Sequence, residues 1–73
     1  MEKQVFGDAL KSLRKKRGLS KFALAKKAMI SASEVDELEK GRRTPRATTI
    51  SKLAEALGVS HSSLMKGSID ELL

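Results

Sequence analysis

Leu19-Ser20-Lys21-Phe22-Ala23-Leu24-Ala25-Lys26-Lys27-Ala28, then Met29-Ile30, then Ser31-Ala32-Ser33-Glu34-Val35-Asp36-Glu37-Leu38-Glu39-Lys40, is the stretch that decides the fold. Each half opens near a serine, which as an N-cap accepts a hydrogen bond from a backbone N–H left over in the first helical turn. Ser31 and Glu34 form a Ser-x-x-Glu capping box, while Ile30 and Val35 stand at N′ and N4 as a hydrophobic staple. The spacing predicts helices over 20–28 and 31–40 with only a tight turn between them. The second of these is acidic, carrying Glu34, Asp36, Glu37 and Glu39.

Outward from this pair, glycines at 18, 41, 58 and 67 punctuate the chain. Three of them follow periodic apolar segments, as left-handed residues just past a helix end do. A first helix is expected over 5–17, burying Phe6, Ala9, Leu10 and Leu13 and exposing Lys11, Lys15 and Lys16. After Pro45, Ile50, Leu53, Ala54 and Leu57 recur at i, i+3, i+4 and i+7, the mark of a helix over 47–57. Val59-Ser60 repeats the staple and cap, giving a short helix from 61 to about 66. No segment alternates as a strand does. The expected fold is all-α, one domain over 1–66 with a tail over 67–73.

Composition narrows the function. A 73-residue chain buries only roughly 60% of the surface its unfolded form exposes, so stability should be modest. With no cysteine, nothing calls for an oxidising compartment or a thiolate metal site. The start lacks a signal peptide's apolar core and no run is long enough to span a bilayer, so a soluble, cytoplasmic protein is expected. A lone histidine, His61, offers no ligand cluster and reads as a surface residue. There is no nucleophile–base pair and no phosphate loop, so no enzyme, cofactor or metal is expected. A net charge of +6 and a pI near 10.0 favour a polyanionic partner. Basic blocks flank the acidic helix, and two helices joined so closely can set the second in a DNA major groove.

Several spaced residues strengthen this reading: Arg14; Leu19, Ser20, Lys21, Leu24 and Ala25; Ser31, Val35, Leu38, Glu39 and Gly41; and Pro45, Thr49 and Ile50. In that order they resemble the helix-turn-helix domain of the lambda-repressor, Cro and related regulators, over residues 6–65. The resemblance implies a compact five-helix lambda-repressor-like fold in a small prokaryotic or phage transcriptional regulator. It also implies a structural ion pair between Arg14 and Glu39, and a DNA surface formed by Lys21, Ser31, Ala32, Ser33, Asp36 and Glu37. Lys21 would offer a phosphate a point charge, and Glu37 could accept from cytosine N4. Lys40, Arg42, Arg43 and Arg46 would clamp the backbone, which fixes register without reading sequence. A homodimer on a pseudo-palindromic double-stranded operator is expected, with half-sites about 34 Å apart. Leu64, Met65, Ile69, Leu72 and Leu73 are the dimerisation candidates, the alternative being that Leu64 belongs to the core and the last five residues fray.

Three residues depart from the family pattern. Met29 stands where glycine is usual, so the turn either strains a left-handed methionine or is reshaped. Phe22 replaces a polar residue and is expected as an extra core anchor, the alternative being an exposed contact. Arg46 replaces the small polar cap before the fourth helix. Asp36 and Glu37 are harder to reconcile with DNA, which they would repel unless solvated or paired with Lys40. The alternative function is a helix-turn-helix interaction module, of antitoxin, adaptor or anti-repressor type, whose acidic helix binds a basic protein.

Overall fold

A computed structural model describes the backbone of residues 3–70 and the side chains of 5–65. Five helices follow one another: α1 (Lys3–Lys16), α2 (Lys21–Ala28), α3 (Ala32–Glu39), α4 (Ala47–Leu57) and α5 (His61–Asp70). Among the described residues there is no strand. α1 packs on α3 and α5, α2 on α3 and α4, and α4 on α5. The apolar faces read from the sequence meet in one core, where Phe6, Leu10, Leu24, Val35, Leu38, Leu53 and Leu64 are fully buried.

The serine caps form as expected, but the capping box at α3 is only half made, since the Glu34 carboxylate does not reach back to Ser31 N. Ser20 Oγ accepts from Ala23 N, Ser31 Oγ from Glu34 N and Ser60 Oγ from Ser63 N, at 3.0, 3.0 and 2.9 Å. Arg46, at the corresponding place before α4, makes no side-chain cap bond. The ends of α1 to α4 share one pattern, the paired 6→1 and 5→2 bonds of a Schellman motif. After α3, Arg42 N donates to Glu37 O and Gly41 N to Leu38 O. After α2, Ile30 N donates to Ala25 O and Met29 N to Lys26 O. The turn is therefore not reshaped: Met29 takes the left-handed conformation at φ 60°, beside φ values of 69°, 72° and 73° at Gly18, Gly41 and Gly58.

Three expectations need correction. Phe22 is not a core anchor but 69% exposed, because it lies on the same line of α2 as Lys26 and Met29, outside the buried arc of Leu24, Ala25 and Ala28. Leu64 is not available to a dimer partner: it is wholly buried in the core, at the place where α5 packs on α1 and α4. The last helix does not stop near Lys66 but continues through Gly67 to Asp70. Met65 packs partly buried against the core, while the side chains of Ile69, Leu72 and Leu73 lie outside the described residues.

Candidate nucleic-acid interface

The candidate surface is the outward side of α3 with the loop that follows it. Val35, Leu38 and Glu39 are buried, so helical geometry turns Ser33, Asp36, Glu37 and Lys40 outward. Ala32, Ser33, Asp36, Glu37 and Arg42 line one shallow depression. Beside it, Glu34, Arg43, Arg46 and Lys52 line a second cleft that runs under the turn from Met29 and Ile30 to Thr48 and Thr49 at the start of α4. Ser31 sits at the rim as the N-cap, exposed and bonded through its oxygen to Glu34 N.

Behind this face, Arg14 anchors α3. Its Nε lies 2.6 Å from Glu39 Oε2 and its Nη2 3.1 Å from Oε1, both within the buried interior, while Nη1 donates to Leu19 O at 2.9 Å. The fork–fork geometry suits a guanidinium and a carboxylate. The hydrogen bond donated to Glu39 holds the Arg14 pKa above its ordinary value despite the opposing cost of burial. One side chain thus ties α1 to the C-terminal end of α3 and to the residue that leads into α2.

Two of the remaining carboxylates, Asp36 and Glu37, are engaged rather than bare. Asp36 accepts from Lys21 through Oδ1 and holds Lys40 at 3.0 Å through Oδ2. These two ammonium groups, Lys21 first, lower its pKa from 3.8 to about 2. Glu37 does not pair with Lys40; it accepts from Arg43 Nη2 at 2.9 Å. Lys21, expected to present its charge to a phosphate, is drawn across to α3. Among the described residues Arg42 and Arg46 make no ion pair, so both keep their charge free in the loop after α3.

Two residues that hold this surface in place were not singled out by sequence reasoning. A β-carbon on Gly7 would lie 2.5 Å from Leu38 O and 2.6 Å from Glu39 O, so α1 crosses the end of α3 with the two backbones nearly touching. Arg17 Nε donates to Leu57 O at 2.8 Å, placing a cation at the negative end of α4. The available signal for Gly7 was a glycine on the buried side of an otherwise good helix. Nothing local marked Arg17 as a cap for a distant helix.

An all-α bundle that backs a short, outward-facing helix with a tight turn and a second helix defines a helix-turn-helix domain. The family described as Helix-turn-helix matches residues 10–64, and the chain belongs to it, in the lambda-repressor and Cro-like form. The HTH-type transcriptional repressor RghR of Bacillus subtilis is 40% identical over 70 residues, an alignment covering 92% of this chain and 52% of RghR. The chain therefore spans about half the length of that relative. The uncharacterized HTH-type transcriptional regulator y4dJ of Sinorhizobium fredii is 35% identical, with 86% of this chain and 82% of the relative covered. Among solved structures, the restriction-modification controller protein C.AhdI of Aeromonas hydrophila superposes with a TM-score of 0.82 at 36% identity, covering 84% of this chain and 92% of its own. Among the described residues no helix is long and apolar enough to cross a membrane.

Proposed function

We propose that the protein is a sequence-specific, double-stranded DNA-binding transcriptional regulator that sets α3 in the major groove. The observation that carries this reading is the outward face of Ala32, Ser33, Asp36 and Glu37, set beside exposed Arg42, Arg43 and Arg46. Small and polar side chains reach base edges, while the arginines engage phosphates on either side of the groove. Ala32 meets a thymine methyl, Ser33 donates or accepts, and Glu37 accepts from cytosine N4. The protein acts as a homodimer on a pseudo-palindrome in the cytoplasm, by binding rather than by catalysis. With Leu64 committed to the core, the contact between copies falls to Met65 and the residues beyond it.

The pairing of helix-3 carboxylates supports DNA over a basic protein partner. Asp36, Glu37 and Glu39 already hold cations of this chain, so a basic protein would find only Glu34 unpaired on α3 and would have to displace a cation from each of the others. The test is selection from random duplex DNA, followed by a salt titration of the best binder. Regulation predicts an enriched palindrome whose affinity falls steeply with salt, with a logarithmic slope of about −0.9 for each phosphate engaged. If a well-folded protein enriches no duplex, the reading is wrong.

A further inference from the structure

Asp36 is unlike the other outward carboxylates because it holds two ammonium groups from different elements. Oδ1 takes Lys21 at the head of α2, and Oδ2 takes Lys40 one turn along α3. All three side chains remain partly exposed, at 32% for Asp36, 38% for Lys21 and 50% for Lys40. Ion pairs so exposed are weak and exchange readily for another anion. Lys21 and Lys40 are also among the cations nearest the face proposed to meet DNA, so the anion best placed to compete for them is a phosphate.

We infer that Asp36 is a specificity-determining residue that stands in for phosphate, occupying Lys21 and Lys40 in the free protein and releasing them only to a suitable DNA site. This rests on the DNA-binding reading above. On arbitrary DNA, releasing the lysines leaves a bare carboxylate within the field of the polyanion, so the exchange gains little. Where the site presents an amino group in the major groove, as cytosine does at N4, the released carboxylate accepts from it. Both lysines are then free to bind phosphate. The capture thus lowers affinity for bulk DNA more than affinity for the operator.

The test compares Asp36→Asn with Glu55→Gln, which removes the same charge from an exposed position on α4. Affinity is measured across salt for a random-sequence duplex, for the duplex the wild-type protein selects, and for heparin as a DNA-free polyanion. On random duplex, Asp36→Asn is expected to steepen the logarithmic salt slope by about 1.8, because two further phosphates are engaged at about 0.9 each. The same slope makes binding about tenfold more sensitive to the step between about 50 and 200 mM salt. The ratio of selected to random affinity should fall by about tenfold, while Glu55→Gln leaves it unchanged. Equal slopes and ratios for the two variants overturn the inference. A wild-type protein that enriches no duplex overturns the regulator reading by itself, and lysine capture is then judged on heparin. There, later elution of Asp36→Asn than of Glu55→Gln upholds the capture, and co-elution overturns it. Should Asp36→Asn fail to fold, Asp36→Ser serves in the same comparison.

Discussion

At Gly7 the helix forgoes a side chain so that its backbone can lie against the carbonyls of Leu38 and Glu39. Alanine would improve helix propensity by about 1 kcal/mol, but its methyl would overlap fixed backbone, where overpacking costs typically about 1–3 kcal/mol. Steric overlap should win, because neither carbonyl can swing aside as a flexible side chain could. Gly7→Ala is expected to lower the thermal midpoint by roughly 5–15 °C, read by circular dichroism; an unchanged or raised midpoint would refute the close approach. The serine caps are legible in the sequence because they need only a hydroxyl near free N–H groups, and both halves of the central stretch have one. The exposure of Phe22 is not, because it follows from the residue's angle on α2 and runs against its hydrophobicity. Gly7 was invisible because its reason lies on a helix far along the chain.

Between elements, the Arg14–Glu39 clamp joins α1 to α3, and Arg14 also steadies the entry to α2 through Leu19 O. Removing one partner of a buried pair strands the other charge, whereas replacing both with apolar groups of similar volume is often neutral. Arg14→Met and Glu39→Met are each expected to cost roughly 3–5 kcal/mol, and the double variant far less than their sum. Denaturant unfolding of the four proteins checks this; simple additivity would mean that the pair is not a buried unit. The clamp was legible only by resemblance, since a buried arginine on the first helix looks like any basic residue in a basic helix. The bounds of α4 were legible from apolar periodicity and Gly58. Those of α5 were not, because Gly67 read as a stop although a glycine inside a helix costs only about 0.5–1 kcal/mol.

For the molecule as a whole, a single apolar core and a dispersed, largely exposed set of charges play separate roles. The pairs of Asp36 and Glu37 are surface pairs, screened by solvent and of little weight in stability. Raising sodium chloride from about 0.1 to 1 M shortens the screening length from roughly 10 to 3 Å. The thermal midpoint should then move by less than about 5 °C, whereas DNA binding should collapse. A large fall in the midpoint would show that surface pairs hold the fold. The five-helix architecture was legible because punctuation and apolar period agree along the chain. The charge pattern of the interface was not, since the sequence counts carboxylates but does not say which cation each one holds.

The clamp also bears on how the chain is made. Arg14 waits for a partner 25 positions later, and Arg17 for a carbonyl 40 positions later. α1 leaves the ribosome before α3 and α5, the helices that shelter it. Of these five helices the earliest made is therefore covered only in part until α5 is in place. Folding is deferred until α5 has emerged, and a chain halted after α4 would present a chaperone with an open core.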